Sequence, residues 1–205
     1  MLHAPKSALS VLSSPGAYDA VQTLMGGDKG RRDLACHFIR ARPGDNILDV
    51  GCGTARILDY LPADVRYWGY DVSDRYVEAA RSRYGHRAQL VSHPLTEAEL
   101  LRLPQFNIVL AIGLLHHLDD AEAGSFIRLA RSALGPGGRL ITIDPCFEPG
   151  QSLLARALIS CDRGQYVRRA AAYETLARPF FAAIRGTLRH RRWVPYTHWI
   201  MECDA

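Results

Sequence analysis

The sequence predicts an α/β fold in which helices cover both faces of a parallel β-sheet. Short apolar runs alternate with amphipathic stretches through most of the 205 residues, which is the pattern of successive βαβ units. A turn with two glycines, Gly51 and Gly53, follows the first apolar run. The alternation stops near residue 145, and two β-rich runs end the sequence. Together these features predict five parallel strands closed by an antiparallel hairpin.

The predicted elements follow one another without a long linker. Strands are expected at 46–51, 65–71, 88–92, 106–113 and 139–144, hairpin arms at 181–190 and 194–203, and amphipathic stretches at 54–61, 73–85, 96–103 and 121–135. Ser73 and Asp74 are candidate helix N-caps, and Gly85 and Gly135 are candidate helix ends. The chain is therefore predicted to be one domain (1–205) with an N-terminal helical extension (1–42) and a helical insert (145–180).

Composition excludes several classes of protein. A net charge of +4 is too small to indicate a nucleic-acid-binding protein. The five cysteines are scattered and never spaced as CxxC, which predicts neither a disulfide framework nor a structural zinc site. The N-terminus lacks the apolar core of a signal peptide, and no apolar run reaches the roughly 20 residues of a membrane span. We therefore expect a cytoplasmic protein without a membrane partner.

The glycine turn and a later acid favour an adenosine ligand over a dinucleotide. Gly51 and Gly53 allow the backbone to approach a ligand closely. The dinucleotide fingerprint keeps a small residue three positions after the second glycine, where this sequence has Arg56. Asp71, about 20 residues after the turn, can accept hydrogen bonds from both ribose hydroxyls. Taken singly, these residues also fit a tight βα turn and an acid at a helix start.

Four segments, in this order and spacing, resemble the class I S-adenosylmethionine-dependent methyltransferases. They are DVGCGTA (49–55), GYDVS (69–73), FNIVLAIGLLHHLDD (106–120) and LGPGGRLITID (134–144). The resemblance covers about 30–145, and the closing hairpin fits the reversed last strands of that family. It implies a Rossmann-like seven-stranded sheet and S-adenosylmethionine as cofactor.

The resemblance also implies a set of cofactor-binding residues. In the family the glycine loop lies against the methionine part of the cofactor, and the acid after strand two binds the ribose. The implied positions are Asp49, Gly51, Cys52, Gly53, Asp71, Val72, Ser92, His93, Ile112 and Gly113. This sequence departs from the family twice: Ala55 replaces a common third glycine, and Ser92 and His93 replace the acid often found after strand three.

The chemistry is predicted where strands four and five end. His116, His117 and Asp144 follow those strands, so they are expected at one edge of the sheet. A hydroxyl acceptor needs a base near pH 7, for which histidine is suited, and a carboxylate can orient the imidazole. Similar small-molecule O-methyltransferases place a histidine and an acid there. His116 is favoured as the base; the alternative is that both histidines cap the helix or pack against the cofactor.

Two other kinds of methyl transfer are disfavoured. Metal-assisted transfer uses carboxylates at the end of strand four, where this chain has Gly113, Leu114 and Leu115. The segment DPCF (144–147) resembles the amine-clamping motif of N-methyltransferases, but it follows strand five instead of strand four. We therefore expect metal-independent transfer to a hydroxyl of a small molecule, either a secondary metabolite or a cell-surface sugar.

Acceptor recognition is predicted in the segments outside the sheet. Tyr18, Arg163 and Tyr166 are candidate substrate contacts, and Arg168 with Arg169 would either grip a substrate or form a solvated helix face. The arginine-rich run at 185–193 is expected at the hairpin tip. It alone supports an RNA- or protein-directed methyltransferase. A catalytically silent domain that binds the cofactor or a partner protein is the alternative from another class, and a nicotinamide-dependent reductase is a third. The sequence predicts no oligomeric state.

Overall fold

A computed structural model describes residues 27–161, 164–191 and 195–205. Its centre is one seven-stranded sheet with the strand order β3-β2-β1-β4-β5-β7-β6. The strands are β1 (Asn46–Val50), β2 (Arg66–Tyr70), β3 (Ala88–Val91), β4 (Phe106–Ile112), β5 (Leu134–Pro145), β6 (Ala183–Arg191) and β7 (Tyr196–Asp204). The first five pair in parallel, and β7 pairs antiparallel with both β5 and β6. The predicted sheet and its closing hairpin are confirmed.

Helices cover both faces of this sheet, as predicted. They are α1 (Gly27–Leu34), α2 (Asp74–Tyr84), α3 (Glu97–Leu100), α4 (Asp120–Ala133), α5 (Leu153–Ser160) and α6 (Ala170–Ala177). Successive residues of β1, Ile47 and Leu48, are fully buried in two different cores, because side chains alternate between the faces of a strand. One core contains residues of α1 and α2, and the other contains residues of α4 and α6.

The sheet order creates the edge at which a ligand would bind. The chain runs from β1 outwards to β3 and then returns to place β4 on the other side of β1. Parallel pairing brings Val50 beside Tyr70 and Ile112 beside Ile143, so these strands end at one edge. In open α/β sheets, ligands bind outside the carboxyl ends of the strands, where the strand order reverses. The loops after β1 and β4 flank that point.

Several local predictions need correction. The stretch predicted at 54–61 is a short 3-10 helix, Arg56–Tyr60, and the stretch at 96–103 is only the single turn of α3. Ser73 caps α2 by accepting a hydrogen bond from the Tyr76 N–H, whereas Asp74 is the first helical residue. Gly135 does not end a helix but lies inside β5. This strand begins at Leu134, which pairs with Phe106 before the register shifts.

Helical residues occur in both segments predicted outside the sheet. Helix α1 and a π-helical turn (Ala35–Ile39) precede β1, and helices α5 and α6 lie between β5 and β6. Tyr18 and Arg163 lie outside the described residues, so their predicted roles stay predictions. Within the described ranges, no helix has the length and apolar character needed to cross a membrane. The division into one domain with these two additions also stays a prediction.

The hairpin is held by a close contact between a glycine and an indole. A Cβ atom on Gly186 in β6 would lie 1.8 Å from Cζ2 and 2.1 Å from Cη2 of Trp199 in β7. The indole is almost fully buried and belongs to one of the two cores. Any side chain at position 186 must therefore displace the indole.

We expect Gly186→Ala to lower the free energy of unfolding by about 1–3 kcal/mol, the usual cost of overpacking a core. Urea denaturation would measure it. Gly124→Ala in α4 is the matched control, because a Cβ there meets no atom within 4 Å and alanine is the better helix former. The control should leave stability unchanged or raise it. Equal stability of the wild type and Gly186→Ala would show that the indole moves aside without cost.

Candidate active site

The loop after β1 has a left-handed backbone at alternate residues. The φ angles are 75° at Gly51, 54° at Gly53 and 54° at Ala55. The N–H groups of Gly51 and Cys52 both donate to the carbonyl of Tyr70, at 2.7 and 3.1 Å. A Cβ on Gly53 would meet no atom within 4 Å, so this part of the loop presents open backbone. Such backbone can lie directly against a ligand.

Asp71 joins this loop to the end of β2. Its Oδ2 accepts the N–H of Gly53 and its Oδ1 accepts the N–H of Ser73, both at 2.8 Å. Each carboxylate oxygen has a second lone pair, so Asp71 can accept further hydrogen bonds from a ribose. The next residue, Val72, is 73% exposed and offers an apolar surface beside that carboxylate. The ribose-binding role of Asp71 and the cofactor contact of Val72 stay predictions.

Asp49 lies beneath the same loop and is almost completely buried. Its Oδ2 accepts a 2.5 Å hydrogen bond from the Tyr67 hydroxyl, and its Oδ1 has no hydrogen-bond partner among the described residues. Burial raises the pKa of Asp49 to about 7, although the Tyr67 bond acts in the opposite direction and Asp71 adds to the rise. The loop thus covers a carboxyl group that titrates near neutral pH.

The remaining predicted cofactor positions differ in their surroundings. Burial, then the charges of Asp49 and Asp71, raise the pKa of the Cys52 thiol well above its ordinary value, so it stays protonated. Ser92 is half-buried. His93 is turned towards α3: its Nε2 lies 3.4 Å from a carboxylate oxygen of Glu99, and its Nδ1 lies 3.0 Å from the carbonyl of Pro94.

The end of β4 leads into a short 3-10 helix, Leu115–His117. Gly113 makes this change of direction with a φ of 71°, and its N–H donates to the carbonyl of Ile143 at 2.8 Å. Ile112 is half-buried and pairs with the same residue of β5. The turn therefore starts at the carboxyl edge, directly beside the end of β5.

His116 and Asp144 form a buried pair at this edge. The side-chain Nδ1 of His116 lies 2.8 Å from Oδ1 of Asp144, and the same oxygen accepts the backbone N–H of His116 at 3.1 Å. The two residues are only 5% and 1% exposed. The second oxygen of Asp144, Oδ2, has no hydrogen-bond partner in the described part of the chain. Because the carboxylate acts as acceptor, Nδ1 holds the imidazole proton.

His117 occupies a different environment from His116. Its side chain is exposed, and its ring stacks on the ring of His116 with centroids 4.1 Å apart and planes tilted by 39°. The structure thus brings together His116 and Asp144, two of the three predicted catalytic residues, and places His117 on their outer side.

A segment of the insert, residues 164–168, lies across the His116 ring, and we name it the strap. A Cβ on Gly164 would lie only 2.0 Å from Cδ2 of His116, and the Tyr166 N–H donates to the His116 carbonyl at 3.0 Å. The Tyr166 side chain is partly exposed beside it. The predicted substrate contact Tyr166 is therefore next to the buried pair.

One of the two alternatives for Arg168, a solvated helix face, is wrong, because its side chain is only 8% exposed. Its guanidinium donates hydrogen bonds to the carbonyls of Leu115 and Leu118 and pairs with Asp120. A contact of Arg168 with a substrate stays a prediction. Nothing in the sequence distinguishes this arginine from its neighbour Arg169, which directly precedes α6. Only the path of the strap brings it to the turn after β4.

The arginine-rich run lies along β6 as well as towards the hairpin tip. Arg185 forms an ion pair with Asp204, with N–O distances of 2.5 and 3.1 Å. Arg189 pairs with Asp33 at 3.1 Å, and its guanidinium lies over the ring of Phe38. These two charges are paired within the chain, which lowers the positive charge that the hairpin presents. Among the described residues, no group of three or more potential ligands could hold a metal ion.

Comparison with known proteins supports the observed fold. Residues 48–140 match a family model described as "Methyltransferase domain". The apo structure of the S-adenosylmethionine-dependent methyltransferase SibL superimposes with a TM-score of 0.69 over 92% of this chain and 56% of that chain, at 20% identity.

These matches support a class I S-adenosylmethionine-dependent methyltransferase. Among the curated relatives of this chain, the O-methyltransferase cnsE of Penicillium expansum is 32% identical over 169 residues, which cover 73% of this chain and 59% of that protein. The 27-O-demethylrifamycin SV methyltransferase of Amycolatopsis mediterranei is 36% identical over 115 residues, 53% of this chain and 41% of that protein. The chain thus spans about half the length of these relatives.

Proposed function

We propose that this methyltransferase uses S-adenosylmethionine to methylate a hydroxyl group of a small molecule. The buried His116–Asp144 pair carries the proposal, because it joins a base to an orienting carboxylate at the same edge as the glycine loop. The names of the two curated relatives, an O-methyltransferase and a rifamycin methyltransferase, support a small-molecule acceptor. The proposed acceptor is either a secondary metabolite or a cell-surface sugar.

The residues present fit a cationic adenosine derivative. Asp49 and Asp144 each keep one buried carboxylate oxygen without a hydrogen-bond partner among the described residues, and buried charges are normally paired. S-adenosylmethionine carries a sulfonium and an ammonium group that can supply the missing positive charge. Gly53 offers open backbone, and Asp71 with Val72 offers hydrogen-bond acceptors beside an apolar surface.

The chain's own residues would activate the acceptor. The bound cofactor supplies an electrophilic methyl group, so the protein needs to orient the acceptor and remove its proton. With Nδ1 of His116 directed at Asp144, the proton would be taken up at Nε2. The carboxylate of Asp144 would then stabilise the imidazolium. Burial of the pair keeps bulk water away, which strengthens this electrostatic interaction.

Two measurements test the proposal. Calorimetry with S-adenosylmethionine and with NAD as the comparison ligand should detect binding of the first alone. A panel of hydroxylated small molecules, incubated with protein and cofactor, should then yield S-adenosylhomocysteine with at least one acceptor. Binding of NAD without binding of S-adenosylmethionine would refute the proposal. Cofactor binding with turnover of RNA or protein acceptors only would assign the alternative substrate class.

Asp71→Ala should weaken S-adenosylmethionine binding by about 1.5–3 kcal/mol, the usual value of hydrogen bonds to a charged group. This loss corresponds to a roughly 10- to 150-fold higher Kd in calorimetry. Asp74→Ala is the control, since Asp74 is an exposed acid three residues further along. An unchanged affinity in Asp71→Ala would mean that the ribose is held elsewhere.

A further inference from the structure

The strap connects the two chain segments that supply His116 and Asp144. At one end, Tyr166 donates its N–H to the His116 carbonyl at 3.0 Å. At the other end, Arg168 forms a parallel bridge with Cys146, and its carbonyl accepts the Phe147 N–H at 3.1 Å, just beyond the end of β5. The strap therefore bridges these two segments, which also pair directly through β4 and β5.

The guanidinium of Arg168 uses all five of its N–H donors in this region. Nη1 donates to the carbonyls of Leu115 (2.8 Å) and Tyr166 (3.0 Å). Nη2 donates to the carbonyl of Leu118 (2.7 Å) and to Asp120 (2.7 Å), and Nε donates to Asp120 at 2.9 Å. Five donors in one rigid plane are the property that distinguishes arginine from lysine.

These contacts are directed at the turn that carries the histidine. Leu115 directly precedes His116, and Leu118 lies two residues after it. The Leu115 carbonyl also accepts the Leu118 N–H at 3.2 Å within the turn, so Arg168 gives it a second donor. Arg168 also donates to the Leu118 carbonyl, where the turn ends. The guanidinium thus holds the turn at both ends. The guanidinium also lies 5.7 Å from the ring centroid of Tyr173, which limits its movement.

The burial of Arg168 argues against a simple surface ion pair. Its side chain is 8% exposed, whereas that of Asp120 is 83% exposed. Exposed carboxylates are strongly screened by water, so this ion pair alone gives little reason to bury a guanidinium. The carbonyls of the turn are the partners that require the arginine to be in this place.

We propose that Arg168 is a positioning residue for His116. It fixes the backbone of the turn after β4, while Asp144 fixes the imidazole ring, so the ring is constrained from two sides. The strap adds a third constraint, because the Gly164 backbone contacts the Cδ2 edge of the ring. The consequence for turnover rests on the proposed function, whereas the effect on the orientation of the ring does not.

The test compares Arg168→Ala and Arg168→Lys with the wild type by ¹⁵N NMR of the histidine side chains, without an acceptor. In the wild type, His116 should hold its proton on Nδ1, facing Asp144. In Arg168→Ala, this signal should move towards the average of the two tautomers, and in Arg168→Lys it should move less. With an acceptor that the wild type methylates, kcat should fall about 10- to 100-fold, the range expected for a misplaced catalytic group, while the Kd of S-adenosylmethionine changes less than about twofold.

A control separates positioning from general effects. Arg178→Ala removes an exposed, paired arginine from the same region, and it should not move the His116 signal. A folded Arg168→Ala with the wild-type signal and turnover would overturn the proposal. If that variant does not fold, an unchanged signal and turnover in Arg168→Lys would overturn it instead.

The outcomes also separate this proposal from the proposed function. A shifted His116 signal in Arg168→Ala, together with a wild type that methylates nothing, supports positioning and refutes the function. Methylation by the wild type, together with an unchanged His116 signal in Arg168→Ala, supports the function and refutes positioning.

Discussion

His116→Ala is expected to lower kcat by about 10²–10⁴-fold, the usual contribution of a general base, while S-adenosylmethionine binds with nearly unchanged affinity. A hydroxyl group is a poor nucleophile at neutral pH, and His116 is the imidazole held against Asp144 at 2.8 Å. Because the base must be unprotonated, the wild-type rate should also fall as the pH is lowered and the imidazole takes up a proton. Steady-state kinetics with an accepted hydroxyl substrate would measure both effects.

His117→Ala is the matched control for this prediction. The two histidines are adjacent, but His117 is exposed and stacks outside the buried pair, so its loss should leave kcat within a few-fold of the wild type. Asp144→Asn keeps the shape of the carboxyl group but removes its charge, and it should lower kcat as well. If His116→Ala, His117→Ala and the double variant all keep near-normal turnover across the whole pH range, the histidines are structural. The acceptor would then be an amine or a thiol.

Asp49→Asn is expected to stabilise the ligand-free protein at pH 8 and to weaken cofactor binding. The folded state raises the pKa of Asp49 from 3.8 to about 7, mainly through burial. A raised pKa means that the folded state binds a proton more readily than the unfolded state, so stability from this group is lost as the pH rises towards 7. Between pH 5 and pH 8 this loss is about 2–3 kcal/mol, at 1.36 kcal/mol for each pH unit below 7. Asn at this position carries no charge and avoids the loss.

Urea denaturation at pH 5 and pH 8 would measure this effect as a widening stability difference between Asp49→Asn and the wild type. Asp59→Asn is the control, because Asp59 also accepts a hydrogen bond from a tyrosine, Tyr84, but is exposed and paired with Arg56. The stability difference between Asp59→Asn and the wild type should not widen as the pH rises. A parallel pH dependence of Asp49→Asn and the wild type would show that Asp49 is already ionised at pH 5.

Cofactor binding should show the opposite pH dependence. A cationic ligand beside Asp49 favours the carboxylate, so wild-type affinity for S-adenosylmethionine should increase as the pH rises through about 7. Asp71 and the Tyr67 hydroxyl face the same group and stay in both proteins. Calorimetry on Asp49→Asn should find weaker binding and a flatter pH profile. Equal affinity of Asp49→Asn and the wild type for S-adenosylmethionine at pH 8 would show that Asp49 does not contribute to cofactor binding.

Local patterns predicted most of the fold and part of the site. The alternation of apolar and amphipathic runs predicted the five parallel strands and the hairpin, because side-chain periodicity is a property of neighbouring residues. The same strand ends placed His116 and Asp144 at one edge. Prediction failed where non-local pairing competes with local signals: Gly135 suggested a helix end, but pairing of Leu134 with Phe106 extends β5 through it.

The sequence by itself determined the class of fold, the glycine loop with Asp71, and the candidate base and carboxylate. Only the tertiary structure decided that Asp49 is buried, with one oxygen that has no hydrogen-bond partner among the described residues. It also decided that His116 contacts Asp144 and that Arg168 donates to carbonyls of the turn after β4. These facts depend on residues far apart in the chain: 28 positions separate His116 from Asp144, and 53 separate Arg168 from Leu115. Burial and pairing across such separations are set by how the elements pack, which local periodicity does not encode.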